Sequence, residues 1–220
     1  MRIQLSLITA FILVTSISLH AQFNLTVAYD LTYTNADTHN EILQNHNTNL
    51  AYANEFKDLK YLNGVSLGAR QAFEGVAFEF NLSTKIATKS AKDPVMSIGS
   101  DTQNRIKYGF NSASLGIEGM FGFFGIGTSI DFHLMHIKAT FEDPNFTQKF
   151  NHHTFGNKYF MTFYLNGSGT TKLGIRPFAQ FYWDAWDQGE IDQTLNNVEY
   201  AEKPESFNNF GISIIFMNGT

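Results

Sequence analysis

Residues 76–86 read Val-Ala-Phe-Glu-Phe-Asn-Leu-Ser-Thr-Lys-Ile, and their two parities differ in kind. Val76, Phe78, Phe80, Leu82, Thr84 and Ile86 form a bulky, mostly apolar set. Ala77, Glu79, Asn81, Ser83 and Lys85 form a small, polar and charged one. A period of two sustained over this length belongs to a β-strand whose faces meet different surroundings. Glu74-Gly75 stands just before it, and behind that pair residues 61–73 alternate again, so the two runs read as a hairpin with a two-residue turn. Moving outward, residues 124–134 (FGIGTSIDFHL) and 173–185 (LGIRPFAQFYWDA) repeat the pattern. Weaker versions occupy 23–33, 112–121, 159–165 and 210–216, which brings the segments to eight. Most approach the roughly 9–11 residues that a tilted strand needs to cross a bilayer.

The connections alternate in length. Short links stand at Glu74-Gly75, at Gly122-Phe123 and at 167–172; long polar links cover 34–60, 88–105, 141–157 and 186–208. Short turns at one end and long loops at the other are the layout of a bacterial outer-membrane barrel. A soluble barrel or a sandwich shares the alternation but turns its bulky face inward. Two features choose between them. The polar parity is rich in small residues (Gly64, Ser66, Gly68, Ser112, Ser114, Gly116, Gly125, Gly127, Ser129), which suit the narrow interior of eight strands. Aromatics also gather at segment ends: Phe23, Phe73, Phe121, Phe124 and Phe216 predict one girdle, and Tyr33, Tyr61, Tyr159 and Trp183 the other. The expected fold is all-β, an eight-stranded antiparallel up-and-down transmembrane β-barrel over residues 22–220.

Composition fits that expectation. Only 16% of the 220 residues are charged, against roughly 25% in a typical soluble domain, while 22 Phe, 9 Tyr and 2 Trp stand out. The mean hydropathy of −0.17 is low for a bundle of membrane helices; an apolar belt averaged with polar loops and a polar interior accounts for it. The lack of cysteine excludes disulfide scaffolds, thiol catalysis and cysteine zinc sites. A net charge of −5 opposes nucleic-acid binding. Residues 1–21, with Arg2, the apolar run 5–19 and small Ala21 at the end, read as a cleaved signal peptide. The expected location is the outer membrane of a Gram-negative bacterium.

The tight turns predict register. With Glu74-Gly75 as the turn, Phe73 faces Val76 and Arg70 lies opposite Glu79, both inward. With Gly122-Phe123 as a Gly-X turn, Phe121 faces Phe124 and Ser114 faces Asp131. Arg70, Glu79, Lys85, Glu118, Asp131 and Arg176 are the expected structural charge network of a closed polar lumen, with Asp184 beside them. The alternative is a narrow ion path, although open channels of real width need about 16 strands. On the simple pair, Arg70→Glu destabilises the barrel and adding Glu79→Arg restores it. Asp131 and His133 share one face, but no third ligand is spaced to complete a metal site. His39, His46, His152 and His153 fall in the long links, where exposure is ordinary. No Gly-x-Ser-x-Gly or His-Glu-x-x-His occurs, so no catalytic residue, metal or cofactor is assigned. The acidic link (Asp187, Glu190, Asp192, Glu199, Glu202, Glu205) reads as a solvated loop, or as a holder of divalent cations that bridge lipopolysaccharide.

With these segments in hand, the chain resembles the small outer-membrane β-barrel superfamily of OmpA-, OmpX- and PorT-like proteins. The resemblance rests on Leu19-His20-Ala21-Gln22-Phe23, on the eight alternating segments, on Ile175-Arg176-Pro177-Phe178-Ala179-Gln180-Phe181, and on the closing Phe210-Gly211-Ile212-Ser213-Ile214-Ile215-Phe216. Where such barrels end on an aromatic, this chain runs on through Met217-Asn218-Gly219-Thr220. The resemblance implies a non-enzymatic barrel with a structural or surface-interaction role, secretion-associated in the PorT-like case. Its implied partners are membrane lipid, lipopolysaccharide, the barrel assembly machinery, and an extracellular or secretion-system protein met through the long loops. A small passive pore and a lipid-modifying enzyme are the alternatives.

Overall fold

The computed structural model describes residues 22–50, 54–91, 104–141, 147–165 and 171–218. The expected signal peptide and residues 167–170 of the expected short link at 167–172 lie outside the described residues. In chain order the elements are β1 (Gln22–Thr34), α1 (Asp37–Leu50), β2 (Tyr61–Phe73), β3 (Val76–Ala91), β4 (Asn104–Phe121), β5 (Phe124–Thr140), β6 (Thr147–Leu165) and β7 (Thr171–Tyr182). A small hairpin of β8 (Trp186–Asp187) and β9 (Pro204–Glu205) follows, with α2 (Gly189–Asn196) between its strands, and β10 (Asn209–Asn218) comes last. Eight of these strands close into an antiparallel up-and-down barrel in which β1 pairs with both β2 and β10. Both described hairpin turns hold two residues, with Phe73 opposite Val76 and Phe121 opposite Phe124. Gly75 and Gly122 supply the positive φ, +76° and +65°, that closes them.

Along the lower barrel, toward the short turns, the bulky parity faces out. Leu25, Leu67, Leu82, Leu115, Ile130 and Ile214 are all exposed on the outer wall, while Asp30, Arg70, Glu79, Glu118 and Asp131 are buried inside. The four wall strands β3 to β6 then run several residues beyond the segments read from the sequence, and on the way their polarity inverts. On β4 the inward positions change from Glu118, Gly116, Ser114 and Ser112 to Phe110, Tyr108 and Ile106. On β5 they change from Asp131 and His133 to Met135, Ile137 and Ala139. The outward positions change the opposite way, from Phe132 and Leu134 to His136 and Lys138. The alternation never breaks; its apolar phase changes sides, and that is why a reading that followed the bulky phase ended the strands too early. Strand β7 departs the other way, stopping at Tyr182 and leaving Asp184 exposed at the rim instead of inside.

The upper inward face needs an apolar partner, and two of the long links provide one. Links 34–60 and 186–208, expected as polar loops, fold into α1, α2 and the β8–β9 hairpin, and they seat on the barrel mouth. Ile42, Leu43, Phe56, Leu59, Ile191, Leu195, Trp186 and Phe207 join Ile106, Tyr108, Met135 and Ile137 in one buried core. Each large side chain taken fully out of water stabilises by roughly 1.5–3 kcal/mol. Phe207 adopts φ +50°, a left-handed backbone costing roughly 1–2 kcal/mol for a residue with a side chain; complete burial of its ring offsets that cost.

Candidate functional site

Two layers fill the lower lumen, and a cap closes its top. In the lower layer, the turn at Glu74-Gly75 fixes a register that puts Arg70 opposite Glu79. Arg70 Nε donates to Glu79 Oε1 at 3.1 Å, and Arg70 Nη2 donates to Glu118 Oε2 at 3.0 Å and to the Tyr164 hydroxyl at 2.7 Å. From the far wall, Arg176 grips Glu79 with two bonds of 2.7 Å and reaches Glu118 at 3.5 Å. Two guanidiniums thus share two carboxylates, and charge balances inside the wall. Bidentate pairing is the strongest geometry an arginine offers a carboxylate. The Arg176 guanidinium also lies 4.0 Å from the Phe160 ring centre, and its Nε donates to Thr162 Oγ1 at 2.8 Å.

Glycines on β5 make room for this quartet. A Cβ on Gly125 would come within 2.2 Å of Glu118 Oε1, and one on Gly127 within 2.4 Å of the Phe160 ring. Those small inward positions, read from the sequence only as suited to a narrow lumen, are the seats of two large side chains from neighbouring strands.

Lys85 and Asp131 lie in a separate layer above, joined through a residue that sequence reasoning had not singled out. Gln180 Nε2 donates to Asp131 Oδ2 at 2.6 Å, while its Oε1 accepts from Lys85 Nζ at 3.1 Å. Asp131 also accepts from Ser129 Oγ at 2.6 Å, with Lys158 Nζ 3.9 Å away. The available signal for Gln180 is its spacing of four from Arg176, on the same inward parity of β7. Asp30 accepts from Ser213 across the β1–β10 seam at 2.5 Å. Between the two layers remains an interior cavity of about 40 Å³, bordered by Asp30, Ser83, Lys85, Ser112 and Arg176. Since one water needs ~10–15 Å³ of such space, the cavity accommodates a few waters.

The cap is held by polar groups as well as by its apolar core. Glu205 Oε2 accepts from the backbone N–H groups of Thr38 (2.7 Å) and His39 (3.3 Å) at the start of α1, where a carboxylate offsets the helix dipole. Asn40 and Asn47 each bond both ways with the backbone of the returning chain, at Leu59 and Phe56 respectively. His39 and His46, expected to be exposed, are buried. His39 Nδ1 lies 3.0 Å from Gln188 Oε1 and its Nε2 lies 2.8 Å from the Tyr108 hydroxyl. That pattern suits a neutral ring, donating to the amide and accepting from the phenol. Burial drives its pKa down to about 4. His46 is also lowered by burial, its Nδ1 meeting the carbonyl of Leu195.

Much of the acidic link is structural. Glu205 caps α1, Asp192 pairs with Lys203 at 2.8 Å, and Asp187 accepts from the N–H groups of Gly189 and Lys203. Glu190, Glu199 and Glu202 alone of the six are exposed. Among the described residues, no three His, Cys, Asp or Glu side chains converge as a metal site would require. Outside the barrel, Phe23, Phe121 and Phe216 are exposed near the short turns, with Phe73 and Phe124 half-buried. Tyr33, Tyr61, Tyr159 and Trp183 are exposed higher on the wall, with Tyr33 and Tyr61 packed edge to face at 5.9 Å.

No protein-family model matches the chain, and neither does any curated protein. Solved structures do share its fold. Ail, the attachment invasion locus protein of Yersinia pestis, superposes with a TM-score of 0.51 at 8% identity, covering 92% of this chain and 100% of its own. Neisserial surface protein A gives 0.50 at 5% identity, with 90% and 98% covered. A major outer membrane protein from Thermus thermophilus gives 0.50 at 9%, with 89% and 99% covered. At these identities the likeness is one of fold: the closed eight-stranded barrel of outer-membrane proteins.

Proposed function

We propose that the chain is a non-enzymatic barrel of the Gram-negative outer membrane, that it conducts nothing, and that it acts through its folded cap at the cell surface. The observation that carries this reading is the double closure of the lumen, by a buried Arg–Glu quartet below and by an apolar core that seals the mouth above. A transport path would run through both. The apolar outer wall between two sets of exposed aromatics supports the membrane placement, with the short turns toward the periplasm and the cap outside. A cap packed onto the barrel mouth through one shared apolar core offers a surface of fixed shape, which suits recognition of a partner better than a set of loose loops. Service to a secretion apparatus is the narrower form of the same role.

Planar-bilayer recording of the purified protein tests it. The expected record shows no sustained openings for the wild type; steady single-channel currents would overturn the closed-lumen reading. Expression that changed the mass of lipid A would favour the enzyme instead.

A further inference from the structure

Past the polarity inversion, the outward face of β4, β5 and β6 carries cations in register. Lys107 stands directly opposite Lys138, and Lys138 directly opposite Lys149, so three ammonium groups share one rung of the sheet. Arg105 follows on the same face, one rung further toward the barrel mouth. Side chains directly opposed leave adjacent strands only about 5 Å apart, and like charges so placed repel. Among the described residues, the ion pairs within 4.0 Å engage Lys60, Arg70, His133, Lys158, Arg176 and Lys203, and none involves this rung. Among the described residues this repulsive rung has no carboxylate partner, and an anion from outside relieves it.

The height of the rung says where that anion comes from. Descending the same three strands, the outward rungs are His136 with Asn151, then Leu134 with His153, then Phe132 with Phe155, and below these the apolar wall reaches Phe124 with Phe163. Leu134 to Lys138 is four residues; at about 3.3 Å per residue and a tilt near 40°, the rung sits about 10 Å above the last apolar side chain. Lysine stems can bend toward the interface and keep their ammonium groups in the polar layer. The polar layer outside the hydrocarbon is about 5–8 Å thick on each side, within the downward reach of those stems.

We propose that Lys107, Lys138 and Lys149, with Arg105, bind the phosphate groups of a phosphorylated glycolipid in the outer leaflet. The inference rests on the membrane placement proposed above. Several point charges converging from one rung suit a multiply charged phosphate, whose oxygens accept from more than one ammonium group.

The test reconstitutes the full chain in phosphatidylcholine vesicles that contain increasing fractions of diphosphorylated lipid A, or of lipid A stripped of its phosphates. The measured quantity is the midpoint temperature at which unboiled protein loses its folded gel mobility. Diphosphorylated lipid A raises the midpoint of the wild type, and the stripped lipid does not. Each lysine near an anionic surface contributes about a fivefold gain in affinity, so K107Q/K138Q/K149Q requires about 100-fold more of the phosphorylated lipid for half the effect. The K107R/K138R/K149R variant retains the wild-type response, which separates charge from damage to the fold. Equal responses of the wild type and the glutamine variant overturn the inference. So does an equal effect of stripped lipid A, or of inorganic phosphate added to vesicles without lipid A. A wild-type chain that inserts into none of the vesicles overturns the membrane placement, and this inference with it.

Discussion

Glu79 takes bonds from two guanidiniums at once, Arg70 across the adjacent strand and Arg176 across the lumen. This changes what a charge swap does. In the Arg70→Glu, Glu79→Arg double variant, the new arginine would meet Arg176 and the new glutamate would meet Glu118, so the exchange does not restore the barrel as a simple pair would. The informative change is Glu79→Gln, which leaves two buried guanidiniums facing the single carboxylate of Glu118. Breaking a buried ionic group in this way costs about 3–5 kcal/mol, and urea titration of folded barrel on unboiled gels should show a loss of that order. The Arg70–Glu79 contact was legible in the sequence, because a two-residue turn and strict parity fix which residues face each other. The contact with Arg176 was not, because it joins strands 97 positions apart, and no local pattern encodes a meeting across the lumen.

At the scale of elements, the cap is where sequence reasoning fell short. In helix α1 the large buried apolar residues are Ile42 and Leu43, and the buried face is extended by His39, Asn40, His46 and Asn47. Such a stripe reads as polar loop, since these side chains are buried only because specific partners satisfy them. The same burial predicts a pH response. His39 has a folded pKa of about 4 against about 6.5 for an accessible imidazole. The depressed value means that its contribution to cap closure is complete above about pH 6.5, falls as the pH drops, and is gone below about 4. The total is roughly 3 kcal/mol, at about 1.4 kcal/mol per pH unit. In a Trp183→Phe background, Trp186 emission should shift to the red between pH 6.5 and 4 as the cap loosens. His39→Gln should weaken that dependence without abolishing it, because His46 is lowered too.

For the whole molecule, the two tryptophans report on two different environments. Trp183 is 57% exposed on the outer wall, its indole N–H bonded to Asn157 at 3.1 Å, whereas Trp186 is 6% exposed and stacked on His152 within the cap. In brominated-lipid vesicles, the Trp186→Phe variant, which retains Trp183, should be strongly quenched; Trp183→Phe, which retains Trp186, should be largely unaffected. Comparable quenching of both would place the cap in the bilayer and contradict the inverted polarity of the upper barrel. That inversion also explains the molecule's overall composition. Low charge and abundant Phe belong to the lower outer wall, and further aromatics, such as Phe56, Tyr108 and Phe207, are spent inside the cap.

The eight barrel strands, their antiparallel order, the two tight registers and the outward direction of the lower bulky face were legible in the amino-acid pattern. These are local or short-range properties: a period of two, a two-residue turn, and a narrow interior that admits only small side chains around a few large ones. The height of the barrel, the helical nature of two links, the quartet and the lysine rung emerged with the folded molecule. Each of these depends on which surroundings a face meets at a given height, and that follows from barrel closure. Parity records that two faces differ; it does not record that the outside of the wall turns from apolar to polar with height, or that an apolar cap replaces a polar lumen within it.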